Sequence, residues 1–355
     1  MRRTVLYILF VCLAVRAEAQ VWRDASFLPV AGKVTEVATG CYERLPEYPE
    51  GGIRPALVQL GKASAGLYIR FRSDSPAIYV RWTSSGARWM PHMAPVGTRG
   101  LDLYIHDGMG WTFAGSAKPE DAWKAASSCR IIGNMEPAMR EYMLYLSLYD
   151  GISSLEIGVD KDYELLQPSL DSPRKGSPMV FYGTSILQGG CASRPGMAFT
   201  NILSRRFDRE AVNLGFSGNA FLDIAIAELM ASVPDPAVFV LDYVPNASAE
   251  LIDSEGASFF RVLRDAHPGV PVVFVEDPGF PHAAFDGKIR KEIDDKNAAQ
   301  KRLFRSLRAK GEKRIYYIPS SSLMRSEDTV DGIHPTDLGM ERYAEAYAKI
   351  LKKIL

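Results

Sequence analysis

Two short stretches in the second half of the chain hold residue types suited to acyl transfer. Gly183-Thr184-Ser185-Ile186 follows an apolar run, and Asp331-Gly332-Ile333-His334-Pro335 precedes the last helical stretch. A serine hydroxyl is a weak nucleophile until a base removes its proton. His334 is the candidate base and, later, the acid that protonates a leaving alcohol. Asp331 stands three residues earlier, where it can orient the ring and stabilise its cation. The tetrahedral intermediate carries a negative oxygen, and each fixed donor aimed at it is worth about 3 kcal/mol of barrier. The backbone N–H groups of Ser185 and Gly218 and the side-chain amide of Asn246 are the candidate oxyanion donors. Each residue alone has an ordinary explanation: a helix cap for Ser185, a tight turn for Gly218, a loop-capping amide for Asn246, a surface histidine for His334. Their order along the chain carries the argument.

To bring these groups together, several strands must end on one edge. From residue 178 onward short apolar runs alternate with helical spacing. Strands are predicted at 178–182, 211–214, 237–241, 270–275 and 314–318, and helices at 195–207, 220–231, 249–266, 288–310 and 337–354. Such alternation predicts a parallel sheet covered on both faces, with its site beyond the carboxyl ends of the strands. Ser185, Gly218, Asn246 and the Asp331–His334 pair all fall after strands, on that same edge.

These four blocks, in this order, resemble those of the SGNH (or GDSL) hydrolases, named for Ser, Gly, Asn and His. The resemblance implies a nucleophile at Ser185, an oxyanion glycine at Gly218, an oxyanion asparagine at Asn246 and the Asp-x-x-His pair at Asp331 and His334. It also implies a flavodoxin-like α/β/α three-layer domain over 178–355. The first block departs from the family pattern, with Thr184 in place of its acidic residue. In the third block Pro245 precedes Asn246 and Ala247 follows it, so the usual Gly-x-Asn-Asp is missing. Gly100-Leu101-Asp102-Leu103-Tyr104 matches the Gly-x-Asp-Leu-Tyr signature of a β-domain found ahead of some bacterial SGNH esterases. Those two-domain proteins resemble carbohydrate esterases that remove acetyl groups from plant polysaccharides.

The first half fits that expectation on its own residues. Runs at 66–72, 77–82, 101–106, 111–114, 142–149 and 155–159 alternate apolar with polar or are β-branched and aromatic, and turn residues separate them at short intervals. This predicts a jelly-roll-like antiparallel β-sandwich over 20–165, with one short helix at 119–126. The proline-bearing stretch 166–177 is the expected linker. Outside the four blocks, Arg194 and His282 are possible substrate-binding residues. An ion pair for Arg194 and a surface loop for His282 are the alternatives. His92, His106 and His267 are expected to be structural, and Trp82, Trp89 and Trp111 to pack in the core rather than stack on sugars.

Composition narrows the function classes further. Lys+Arg and Asp+Glu are both 42, so the chain lacks the basic excess of a nucleic-acid binder. No cofactor motif is present, and no Cys-x-x-Cys or paired-histidine spacing points to a metal. Met1-Arg2-Arg3, the uncharged run 4–15 and Ala17-Glu18-Ala19 read as a signal peptide over 1–19. That run is too short for a stable membrane anchor. A secreted or periplasmic location is expected, with an ester on a small molecule or polysaccharide as partner. Cys41, Cys129 and Cys191 follow the cleavage point, an odd number in which at least one thiol stays unpaired within the chain. The leading expectation is a serine esterase acting on acylated carbohydrate. A lysophospholipase or thioesterase with the same triad and a non-catalytic glycan-binding protein are its rivals.

Overall fold

The computed structural model describes residues 20–35, 41–48, 51–86, 89–121, 123–173 and 175–355; the expected signal peptide 1–19 lies outside them. In the first half, ten strands form two antiparallel sheets. They are β1 (Gln20–Asp24), β2 (Val30–Ala31), β3 (Tyr68–Ser73), β4 (Ile78–Ser84), β5 (Leu101–His106), β6 (Trp111–Ala117), β7 (Ala126–Ile132), β8 (Arg140–Tyr145), β9 (Ile152–Asp160) and β10 (Leu165–Leu166). One sheet runs β1-β9-β4-β7 and the other β10-β3-β8-β5-β6, with β2 beside β3. Ile69, Phe71, Val80, Trp82, Leu103, Leu144 and Ile157 fill the space between them. This is the expected sandwich.

The helix predicted at 119–126 does not form. Asp121 instead accepts from the backbone N–H of Trp123 at 2.8 Å, a local turn that competes with helical bonding, and the chain feeds directly into β7. The helices of this half lie elsewhere, at α1 (Pro55–Gly61) and α2 (Pro95–Arg99), and each opens on a proline in its first turn.

The second half has five parallel strands: β11 (Lys175–Gly183), β12 (Arg209–Gly215), β13 (Val238–Asp242), β14 (Val272–Val275) and β15 (Ile315–Ile318), in the order β12-β11-β13-β14-β15. Its helices are α3 (Ser185–Gln188), α4 (Phe199–Phe207), α5 (Ile224–Ala231), α6 (Ala249–Ala266), α7 (Gly287–Ala309) and α8 (Asp337–Ile354). Alternate strand residues face opposite sides. Val180, Tyr182, Phe239 and Leu241 pack with Ile226, Phe259 and Leu303, while Met179, Phe181, Val238 and Val240 pack with Phe199, Tyr343 and Tyr347. Both faces are therefore apolar and covered, as a parallel sheet requires. The strand order makes β11 the point where connections diverge to either side, the crevice in which such sheets bind ligands.

The helix expected at 220–231 starts later, at Ile224. The backbone N–H of Ala220 is held by the Asn246 side chain, and Leu222 sits at φ 58°, so the preceding turn is a loop.

The halves interlock. Arg44 is fully buried and donates to the carbonyls of Leu60, Ala63, Asn213 and Gly215, spanning from the first half to β12. Val34, Leu45, Ile53 and Leu57 complete the apolar layer beneath α5 and α6. Among the described residues no helix is long and apolar enough to cross a membrane.

Candidate active site

Strand β11 ends at Gly183, and the chain turns at once into α3. Thr184 caps that single turn by accepting from the N–H of Ile186, and Gly189 closes it at φ 108°, a conformation glycine adopts without strain. The turn lifts Ser185 to the carboxyl edge of the sheet, where it is 8 % exposed. Its carbonyl accepts from the Tyr149 hydroxyl at 3.1 Å, so a residue of the first half braces the turn from below.

The Asp331–His334 segment reaches the same point from the other side. The backbone N–H of Val330 donates to the carbonyl of His334 at 2.9 Å and closes the loop, while Gly332 turns it at φ 87°. Ser185 Oγ lies 2.9 Å from His334 Nε2, and His334 Nδ1 lies 2.8 Å from Asp331 Oδ2. The second carboxylate oxygen accepts the backbone N–H groups of His334 at 2.8 Å and Ile333 at 3.0 Å. Partial burial pushes the Asp331 carboxyl up. The His334 backbone and imidazole and the Ile333 N–H outweigh it, and the carboxyl settles at about 2. A carboxylate that stays ionised holds the imidazole with Nε2 toward the serine.

The candidate oxyanion donors follow the ends of β11, β12 and β13. Gly218 turns at φ 66° with open space where a side chain would be. The Asn246 carbonyl oxygen accepts from Ala220 N at 3.2 Å, which commits the oxygen and leaves the NH2 group for another partner. Among the described residues nothing accepts from the backbone N–H of Ser185 or Gly218, or from the Asn246 amide. These three groups are the donors that the sequence offers for a developing oxyanion.

The other candidates lie further from the reacting atoms. Arg194 Nη1 donates to the buried Asp102 carboxylate at 2.8 Å and to Tyr104 Oη at 2.7 Å, and its guanidinium covers the ring of Phe113. It is an ion-paired fastener between the halves, and the Gly-x-Asp-Leu-Tyr motif is its receptor. His282 stacks on Phe280, and its Nδ1 lies 3.1 Å from where a Cβ on Gly332 would stand, so it backs the Asp331 loop.

His92 was expected to be structural, but its ring lies 5.4 Å from that of His334. Its carbonyl accepts from the Cys191 thiol at 3.2 Å. One donor atom each from His92, Cys191, Asp331 and His334 falls within 4.8 Å of the others, a set of metal-ligand types that sequence spacing did not suggest. An ion there would have to take His334 from Ser185 or Asp331, and burial beside Asp331 holds the Cys191 thiol up at about 12. Gly190 was also missed: a side chain there would meet His334 Cδ2, Ser185 O and Tyr149 Oη, each at 2.9 Å.

His267 bonds the carbonyl of Ala231 and His106 supports its own turn at Gly108, both structural as expected. Trp82 is buried with its N–H on Arg99 O, Trp111 stacks under Arg70, and Trp89 is exposed. Cys41, Cys129 and Cys191 are free thiols.

A flavodoxin-like sheet with Ser, Gly, Asn and His blocks meeting at its carboxyl edge defines an SGNH-type hydrolase. Comparison with known proteins agrees: residues 176–352 match the GDSL-like lipase/acylhydrolase family, and residues 20–165 match the Gly-x-Asp-Leu-Tyr N-terminus of SGNH-hydrolase-type esterases. A GDSL-like lipase from Bacteroides ovatus ATCC 8483 is 33 % identical, with TM-score 0.89 over 95 % of this chain and 98 % of its own. The chain belongs to the GDSL-like lipase/acylhydrolase family and is an ester hydrolase. Two further structures share the fold over the same 95 % and 98 %. The salicylyl-acyltransferase SsfX3 of a tetracycline biosynthetic pathway is 17 % identical with TM-score 0.73, and a family two carbohydrate esterase from Cellvibrio japonicus is 15 % identical with TM-score 0.60. A search of curated proteins returned no match.

Proposed function

We propose that this protein is an exported serine esterase that removes acetyl or similarly small acyl groups from carbohydrate. The observation that carries the reading is the continuous hydrogen-bond chain Ser185–His334–Asp331. In the proposed cycle Ser185 Oγ attacks the ester carbonyl carbon as its proton passes to His334 Nε2. The N–H groups of Ser185 and Gly218 and the Asn246 amide hold the oxyanion. Collapse breaks the C–O bond, His334 returns the proton to the departing sugar hydroxyl, and the acyl group remains on Ser185. Water, deprotonated by His334, then releases the acid and restores the serine.

The carbohydrate-esterase neighbour and the attached β-domain favour a sugar ester. The basic–apolar–small order of residues 1–19 supports export with cleavage before Gln20. A cavity of about 750 Å3 opens at the amino ends of β11 and β12, lined by Gly176, Pro178, Glu210 and Val212, at the opposite end of the sheet from Ser185. It therefore offers no groove for a long acyl chain at the nucleophile.

Hydrolysis of p-nitrophenyl acetate tests the reading. The intact triad should turn it over, and Ser185→Ala should lower turnover by about a million-fold. Wild-type rates in Ser185→Ala would overturn the assignment. Comparing acetyl with octanoyl esters checks the acyl preference, and faster cleavage of the longer chain would reject the acetyl reading.

A further inference from the structure

We infer that Trp89 and Trp123, both carried by the β-sandwich half, form an aromatic platform that binds a sugar ring on the alcohol side of the ester. The inference rests on the carbohydrate-esterase reading and names the site that would hold the glycan.

Four neighbours in one loop have distinct fates. Met93 is buried, and Met90 packs partly buried, in the apolar layer that also contains Ile186, Leu187 and Cys191. Between them His92 places its ring 5.4 Å from that of His334. Trp89 is 55 % exposed. Its ring centroid lies 6.4 Å from that of Trp123, which is 73 % exposed and belongs to the β6–β7 loop. Scattered exposed apolar side chains are ordinary, but two adjoining exposed indoles leave a large apolar surface in water.

Described neighbours of both rings are tethered to the rest of the fold. The methionine anchors hold the Trp89 loop. The buried Arg99 guanidinium holds the Trp123 loop from below, donating to the carbonyls of Asp121 and Lys124. An aromatic surface ordered before binding spends less conformational entropy when a ligand arrives.

The chemistry selects the ligand. A pyranose presents an apolar C–H face and an edge of hydroxyls. It matches a flat indole surface beside polar groups, which Asp121 and Lys124 provide on either side of Trp123 in the chain. Position selects the role. Trp89 precedes His92 by three residues, so their Cα atoms are no more than about 11 Å apart. In this proposal the sugar rings that follow an ester oxygen at His334 extend onto the platform. Trp123 carried no catalytic pattern in the sequence, and Trp89 was expected in the core.

The test uses the full mature chain carrying Ser185→Ala, which removes turnover but leaves the platform. Unacetylated xylohexaose, mannohexaose and cellohexaose are titrated against it by calorimetry and by tryptophan fluorescence. At least one should bind saturably with a change in indole emission. Adding Trp123→Ala or Trp89→Ala should weaken that binding about tenfold or more, with Trp123→Phe intermediate. Unchanged melting temperatures would tie the loss to the platform. Absence of saturable binding to all three glycans would overturn the inference, as would double variants that bind like the parent. Neither result touches the esterase reading, which stands or falls on p-nitrophenyl acetate and Ser185→Ala.

Discussion

The two halves of this protein solve opposite problems at the same edge. In the α/β half, Ser185 sits just past the end of β11, Asp331 and His334 lie on the loop before α8, and both segments are held by short local bonds. Thr184 caps the turn of Ser185, and Asp331 binds both the ring and the backbone of His334. In the β-sandwich half no reacting group is present, yet its loops reach the site. Tyr149 braces the nucleophile turn, His92 lies beside the base, and Arg44 ties the first half to β12. In the proposed reading the chemistry is concentrated in one half, while contacts that brace it come from the other. If that division is real, substitutions in the first set should remove rate without stability, and those in the second stability before rate.

Asp331→Asn offers the largest contrast. An amide in that position can accept the backbone N–H groups but turns an N–H toward the imidazole, favouring the wrong tautomer. Turnover should fall by about 10,000-fold, as when the orienting aspartate of such a triad becomes an asparagine. The melting temperature should stay near wild type, because the segment is partly exposed and its backbone bonds survive. The parent adds a finer test. Its Asp331 carboxyl, held at about 2, stays ionised across the working range and adds no step of its own, so the acid limb of log kcat/KM should have unit slope. A slope of two would place a second titrating group in the relay.

Arg44→Leu probes the other half. Among the described residues the guanidinium has no carboxylate partner; its charge is satisfied by four carbonyls from Leu60, Ala63, Asn213 and Gly215. Burial draws its pKa below the usual guanidinium value, so the charge is kept at a cost those carbonyls offset. Removing it strands buried acceptors at about 1–3 kcal/mol each where water cannot enter. Scanning calorimetry should show a fall of roughly 5–10 °C in melting temperature. At a temperature where the variant is folded, its turnover of p-nitrophenyl acetate should remain within about tenfold of the parent. A thousand-fold loss of rate in a folded variant would erase the division between the halves.

The same division explains what the sequence reveals. The parallel sheet was readable because strands buried on both faces are continuously apolar, and the Ser, Gly, Asn and His blocks because each must follow a strand end. His92 was not readable. Nothing in Met90-Pro91-His92-Met93 has the spacing of a motif, and its position beside His334 depends on two methionines docking in the far half. Gly190 was missed for a related reason: a side chain there would meet His334 and Tyr149, both far away along the chain, as well as the carbonyl of Ser185. The helix expected at 119–126 failed because one Asp side chain bonded a nearby N–H, a choice that propensity does not register. Arg194, nine residues after the nucleophile in sequence, faces Asp102 because the β-domain offers a buried carboxylate that one domain's sequence does not disclose.

Buried carboxyls give the comparison its smallest and most discriminating test. Asp102, at the junction of the halves, has a guanidinium at 2.8 Å. Asp242, at the end of β13 in the α/β half, is buried, and among the described residues only the Tyr347 hydroxyl donates to it, at 2.7 Å. Burial therefore pushes Asp242 up to about 8, the Tyr347 bond opposing and the nearby Asp277 carboxylate adding to the rise. Below about pH 4 the group is protonated in both folded and unfolded chains and has no effect on the balance. Between about pH 4 and 8 the unfolded chain ionises while the folded one keeps its proton, so stability falls as pH rises, and above that window the loss is complete. Asp242→Asn keeps an acceptor for Tyr347 and cannot ionise. Melting curves should show the variant matching the parent near pH 4 and exceeding it by roughly 2–4 °C near pH 8. Asp277, raised to about 6 by its own burial, titrates inside the same window, so some slope should persist until it too is replaced. A variant that instead loses stability equally at both ends would mean that Asp242 is held charged, by a partner comparable to the arginine that Asp102 has.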